Sequence, residues 1–144
     1  MICRATMENA RAVAGLAVKM WDENTIEEMT AEFEMIIEDK DAAVFLYYDG
    51  GKAIGFAQCQ LRHDYVEGTE TSPVGYLEGI FVEEDYRGKG YAKKLLSVCE
   101  NWAKDMGCSE FASDCELDNV GSLRFHMAMG FEEVNRVICF KKNI

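Results

Sequence analysis

A chain of 144 residues, 49% of them hydrophobic and only one a proline, holds enough apolar material for one packed domain over residues 1–144 and excludes a disordered or low-complexity polypeptide. Its formal net charge of -11 deters association with nucleic acid or anionic lipid, which basic surfaces favour, and suits a cationic partner. No window approaches the roughly 18 uninterrupted apolar residues of a membrane span, and the N-terminus lacks the charged-then-apolar pattern of a leader, so a soluble cytoplasmic protein is expected.

In chain order, Met1 to Thr6 reads as a first strand. From Glu8 to Trp21, Ala10, Val13, Ala14, Ala17, Val18 and Trp21 recur at helical spacing. Thr25 with Glu28 three residues on forms a capping box for a second helix, whose Met29, Phe33, Ile36 and Ile37 share one stripe. Ala43 to Tyr48 and Ala53 to Arg62 are rich in β-forming residues, and Asp49-Gly50-Gly51 joins them as a hairpin. A polar stretch from Asp64 to Pro73 leads to a strand from Gly75 to Val82, a glycine turn, and an amphipathic helix from Tyr91 to Met106 that ends near Gly107. Glu110 to Ser113 is a short strand, Asp118 or Asn119 caps a helix running to Met129, and Phe131 to Lys141 closes as extended chain. The order β-α-α-β-β-β-α-β-α-β predicts an α/β fold, a mixed sheet with helices on both faces. Six cysteines, Cys3, Cys59, Cys99, Cys108, Cys115 and Cys139, show no C-x-x-C spacing. No metal site is expected from them, and they read mostly as buried thiols that act as small hydrophobes.

The turn Val82-Glu83-Glu84-Asp85-Tyr86-Arg87-Gly88-Lys89-Gly90-Tyr91-Ala92 lies between an apolar strand and a helix N-terminus. Glycine lets backbone approach phosphate oxygens, and the first N–H groups of a helix are unpartnered and carry the positive end of its dipole. The segment therefore reads as a pyrophosphate cradle, although it has neither the P-loop nor the dinucleotide-fold pattern. Two carboxylates stand out nearby. Glu78 interrupts the apolar strand before the turn, and Asp114 follows the next strand at the end that faces the ligand crevice in open sheets.

Arg87, Gly90 and Ala92 spell R-x-x-G-x-A, which resembles the acetyl-CoA signature of the Gcn5-related N-acetyltransferase superfamily, and the order of elements resembles that superfamily too. The stretch from Tyr65 to Val82, with Gly68-Thr69-Glu70-Thr71-Ser72-Pro73-Val74-Gly75 and Leu77-Glu78-Gly79-Ile80, is similar to the central segment of aminoglycoside 6'-N-acetyltransferases. Lys19-Met20-Trp21, Glu110 to Asp114, Leu117-Asp118-Asn119 and Met129-Gly130-Phe131 extend the likeness over nearly the whole chain. The resemblance implies a centrally splayed sheet, acetyl-CoA as cosubstrate without a metal, and an aminoglycoside acceptor whose 6'-amine is acetylated to give resistance. Relatives often pair, so a homodimer is expected; Val134, Val137, Ile138 and Phe140 suit either an interface or the core.

The same resemblance assigns roles. Ile80, Phe81 and Val82 would lend backbone groups to the pantetheine arm and the thioester oxygen. Backbone N–H groups of Arg87, Gly88, Lys89, Gly90, Tyr91 and Ala92, extended by Lys93, would hold the pyrophosphate, with charge from Arg87 and Lys89. Asn119 would contact the cofactor arm or simply cap its helix. Glu78 and Asp114 would face the amino sugar, one taking the proton from its ammonium, while Trp21, Tyr65, Tyr76 and Glu70 would line the acceptor side. Where many members carry a tyrosine that protonates the leaving thiolate, this chain has His126, read as capped or solvent-facing, with solvent left to protonate the thiolate. The alternative reading keeps the fold and acetylates polyamines, other small amines or protein amines. A third, an acyl-CoA-binding module without turnover, would need neither Glu78 nor Asp114.

Overall fold

The computed structural model describes residues 1–144. Its sheet is built around the hairpin of β2 (Ala42–Asp49) and β3 (Lys52–Arg62), closed by Gly50 and Gly51 with φ of 55° and 83°, the doubly positive pair that a two-residue hairpin loop requires. β1 (Ile2–Arg4) pairs antiparallel to β2, and β4 (Val74–Val82) antiparallel to β3. β5 (Phe111–Ser113) lies parallel to β4, giving the order β1-β2-β3-β4-β5. The mixed α/β fold is as expected. β5 meets β4 only from Gly75 to Leu77, so Glu78 to Val82 run on without a neighbour on that side, and this is the splay.

Strand alternation sends side chains to two cores. Val44, Leu46 and Phe56 pack beneath α1 (Ala10–Ala17) and α2 (Ile26–Glu38), while Ala43, Ala57, Cys59 and Leu61 pack against Leu95, Leu96, Cys99 and Trp102 of α3 (Tyr91–Asp105). α2 begins as read: the Thr25 hydroxyl accepts from the Glu28 N–H at 3.1 Å, and the Glu28 carboxylate accepts in return from the Thr25 N–H. α1 is shorter than its periodicity suggests. A 3-10 turn over Met7–Asn9 precedes it, and after Ala17 the chain tightens into three-residue turns before Trp21. α4 (Val120–Ala128) follows β5.

One expected strand is absent. From Phe131 to Ile144 the chain forms neither helix nor strand, and Val134, Val137, Ile138 and Phe140 are 58 to 90% exposed. Their β-forming side chains satisfy a strand pattern, but a strand also needs a paired neighbour, and this segment pairs with neither open side of the sheet, at β1 or at β5. Of the six thiols, Cys59, Cys99 and Cys108 are buried, Cys3 is half-buried, and Cys115 and Cys139 are exposed.

Candidate active site

The site begins with an irregularity in β4. Gln58 of β3 opposes Gly79 and Cys59 opposes Leu77, so Glu78 is an extra residue without a partner, a β-bulge. Leu77 and Ile80 belong to the α3 core, yet both residues between them face the α1/α2 side. Glu78 lines a cleft there, and the missing side chain of Gly79 leaves room for Trp21, whose Cη2 would lie 2.7 Å from a Cβ at that position. Strict alternation would have turned Gly79 to the other face. The bulge thus keeps Gly79 on the same face as Glu78 and seats an aromatic beside the carboxylate.

The cleft, of about 400 Å³, is lined by Trp21, Asn24, Met29, Glu32, Phe33, Gln58 and Glu78. Both Glu78 oxygens are engaged by Arg62 at the end of β3: Nε and Nη2 donate to Oε1 at 3.1 and 3.0 Å, and Nη2 to Oε2 at 3.1 Å. The guanidinium carbon also lies 3.4 Å from the centre of the Tyr76 ring. The Tyr76 hydroxyl donates to Oδ2 of Asp114, and burial, reinforced by that carboxylate, pushes the phenol well above its usual range so that it stays protonated. A single network therefore runs Glu78, Arg62, Tyr76, Asp114, bringing together both predicted carboxylates and one predicted aromatic. Arg62, Glu32, Gln58 and Gly79 were not legible as site residues. The β3–β4 register and its bulge place Arg62, Gln58 and Gly79, and the packing of α2 brings Glu32 across the cleft; none of these leaves a local sequence signal.

Two predicted acceptor residues lie elsewhere. Tyr65 is 77% exposed and lines a separate hollow of about 390 Å³ with Asp39, Asp41, Arg62, His63 and Asp64, outside the lining of the Trp21–Glu78 cleft. Glu70 is exposed in the loop before β4, where its N–H and that of Thr71 donate to Glu110 at 2.9 and 2.8 Å. These bonds, with one from the Thr71 hydroxyl, hold the Glu110 carboxyl below its usual range and pin the loop. Both residues were assigned from a motif whose loop folds away from the cleft.

At the C-terminal end of β4 the chemistry is backbone. The Glu83 N–H donates to Ile54 in β3 at 2.8 Å, so by the alternation of an antiparallel ladder the N–H groups of Ile80 and Val82 face the open edge beyond β5. The Phe81 side chain turns inward, its ring 6.5 Å from Phe56. Gly88 and Gly90 have φ of 75° and 85°, and no atom lies within 4 Å of a Cβ built at either. Gly90 caps α3 in the left-handed conformation, leaving the first N–H groups of that helix toward open space.

Side-chain roles around the turn need correction. Arg87 does not reach out as a phosphate charge, because its Nε donates to the Val82 carbonyl at 2.8 Å and its guanidinium sits 5.5 Å from the Phe81 ring, so it ties the turn to the strand. Lys89 lies over Tyr86, and Tyr91 packs its ring 4.6 Å from Tyr47, while Lys93 is exposed on the first turn of α3. Asn119 caps α4, its Oδ1 accepting from the Ser122 N–H at 3.0 Å. His126 is neither a cap nor solvent-facing. It is half-buried, with Nδ1 donating to the Ser122 carbonyl at 2.7 Å, Nε2 2.8 Å from Ser113 Oγ and its ring edge-on to Phe131.

Residues 10–131 match the model of the acetyltransferase (GNAT) family. The chain belongs to that family. It is 41% identical over 143 residues, 97% of this chain and 91% of the relative, to an aminoglycoside N(6')-acetyltransferase type 1 of Stenotrophomonas maltophilia. Its fold superposes with a TM-score of 0.96 on the aminoglycoside N-acetyltransferase AAC(6')-Iy in complex with CoA, at 38% identity and covering 100% of this chain and 95% of that one. A second structure of that enzyme, with the bisubstrate analogue CoA-S-monomethyl-acetylneamine, gives 0.94 at 38% identity, covering 100% and 98%. Family membership makes it an acetyl-CoA-dependent N-acetyltransferase, and β4 carries two distinct features, a carboxylate network at its middle and free backbone N–H groups from Ile80 to Val82.

Proposed function

We propose that this enzyme transfers acetyl from acetyl-CoA to the 6'-amine of aminoglycosides and so confers resistance. The observation that carries this reading is the charged network at the β4 bulge. A polycationic amine needs carboxylates, and Glu78 and Asp114 are held at the point where the sheet opens, beside a cleft whose other wall adds Glu32. Naming relatives of this length and identity favours aminoglycosides over polyamines or protein amines. A non-catalytic binder would have no use for the network.

The cradle fits acetyl-CoA. Open space at Gly88 and Gly90 admits phosphate oxygens to backbone N–H groups of the turn and of Tyr91 and Ala92, with the exposed Lys93 following on the first turn of α3. The pantetheine arm would follow the free edge of β4, where the N–H of Ile80 or Val82 polarises the thioester carbonyl. In the transfer, the neutral amine attacks the acetyl carbon, the carbon–sulfur bond breaks, and Glu78 or Asp114 takes the amine's proton directly or through water. His126, committed to Ser113 and Ser122, is left out of this scheme, and solvent protonates the thiolate. Asn119 acts through the start of α4 rather than as a ligand.

We further propose a cytoplasmic homodimer. No helix is long and apolar enough to cross a membrane. The arm from Phe131 presents Val137, Ile138 and Phe140 to solvent, and β5 is a three-residue edge strand with one side unpaired. In a pair of chains the arm of one copy can cover the open β5 edge of the other and bury these side chains. Sedimentation should give the mass of two chains, and Ile138→Asp with Phe140→Asp should give one; a monomeric wild type would remove the dimer.

CoA release measured across kanamycin A, spermidine and a lysine-rich peptide tests the substrate class. Kanamycin A should turn over fastest. Preferential turnover of spermidine would replace the aminoglycoside reading.

A further inference from the structure

The acceptor reading leaves a conflict at Glu78. A carboxylate meant for a substrate ammonium already has both oxygens occupied by Arg62. Neither group is sealed off: the Arg62 side chain is 40% exposed and that of Glu78 23%. Arg62 is also not an incidental surface pair. It is stacked on Tyr76, whose hydroxyl is fixed by Asp114, and one fork of its guanidinium spans the carboxylate. A cation has been built into the floor of a site for cations.

We propose that Arg62 repels the acceptor ammonium beside Glu78 and thereby favours its neutral, nucleophilic form. This rests on the reading that Glu78 faces the acceptor. An ammonium drawn to Glu78 comes within a few ångströms of a guanidinium, and a like charge at about 4–6 Å disfavours the charged form of an amine. The ammonium then gives up its proton to Glu78, Asp114 or water and keeps the lone pair that attacks the acetyl carbon. Carboxylates alone would do the opposite, binding the ammonium well and holding its proton.

Other charges face Arg62 and set the background. Glu78 and Tyr76 come from β4, with Asp114 behind Tyr76. On the hollow beyond, Asp39, Asp41, His63 and Asp64 are close, His63 paired with Asp41 at 3.0 Å, and Glu32 of α2 lies across the cleft. Most are acidic, so they attract the drug as a whole, and Arg62 is the cation in direct contact with Glu78. Removing it changes the local charge by one unit while every acid remains.

The test is the pH dependence of the single-turnover rate of CoA release with saturating acetyl-CoA and kanamycin A. Arg62→Gln should move the ascending limb upward by about one pH unit or more, lowering the rate at pH 7 about ten-fold. Above the limb the rate should return to near the wild-type value, and the KM for kanamycin A should not rise, since Glu78 is freed for the ammonium. Arg62→Lys keeps the charge and should keep the limb in place even if the fork is lost. A limb unmoved in Arg62→Gln, or a loss equal at every pH with a raised KM, overturns the proposal and leaves Arg62 a structural brace. Glu78→Gln run alongside separates the two readings. If it cripples turnover while the Arg62→Gln limb stays put, only the role of Arg62 falls; if it is as active as wild type, the acceptor reading falls and takes this one with it.

Discussion

The bulged middle of β4 and the stretch that leads from it into the glycine turn are built from different parts of the chain. Around Glu78 everything is side chain: a bulged carboxylate, a guanidinium from the neighbouring strand, a phenol and a second carboxylate. From Ile80 to Gly90 almost everything is backbone, and the side chains there either point into the core, as Phe81 does, or brace the turn, as Arg87 does. The difference follows from the ligands. A pyrophosphate and an amide-bearing arm are read by N–H groups that any residue supplies, whereas a cationic amine needs particular charges in particular places. Mutations in the two stretches should therefore separate acceptor turnover from acetyl-CoA affinity.

The sharpest separation should come from the acids. Glu78→Gln and Asp114→Asn should each cost about 1–4 kcal/mol in transition-state stabilisation, the range of a lost charged hydrogen bond or general base, with acetyl-CoA affinity by calorimetry almost unchanged. Wild-type kinetics in both variants would make the network purely structural.

Legibility in the sequence divides along the same line. The glycine turn, α2 with its capping box and α3 with its buried stripe could be read because each is a local pattern. Glu78 was conspicuous as a charge in an apolar strand, but its partner was not, since Arg62 lies 16 residues away and meets it only through cross-strand register and a bulge. Trp21 and Gly79 fit together for the same non-local reason. The arm from Phe131 failed in the other direction: its composition suits a strand, but composition does not decide whether an edge is paired, and the open side of β5 is left without it. Arg87 and Tyr65 show that a motif can be right about its neighbourhood and still misplace a side chain.

The next effect is steric. Gly79→Val puts carbon within 2.7 Å of Trp21, so the aromatic must move from the cleft. Overpacking of this kind costs about 1–3 kcal/mol, and it should appear as a lower melting temperature together with a raised KM for the aminoglycoside. An unchanged KM would detach Trp21 from acceptor binding.

At the cofactor end the expected change is smaller and of another kind. Gly90 has open surroundings but a φ of 85°, so Gly90→Val strains the backbone at the cap of α3 by about 1–2 kcal/mol and places branched carbon where phosphate oxygens would approach. Acetyl-CoA affinity should fall in a folded protein, with the preference among acceptors preserved. Unchanged affinity in a folded Gly90→Val protein would refute the cradle.

The central claim, attack by a 6'-amine, is tested most directly by neomycin and paromomycin, which differ at position 6' in carrying an amine or a hydroxyl. Both should bind through their remaining ammonium groups, neomycin should release CoA with the new acetyl group mapped to the 6'-nitrogen, and paromomycin should act as an inhibitor with little turnover. Equal turnover of the two drugs, with acetylation mapped to another nitrogen, would contradict it.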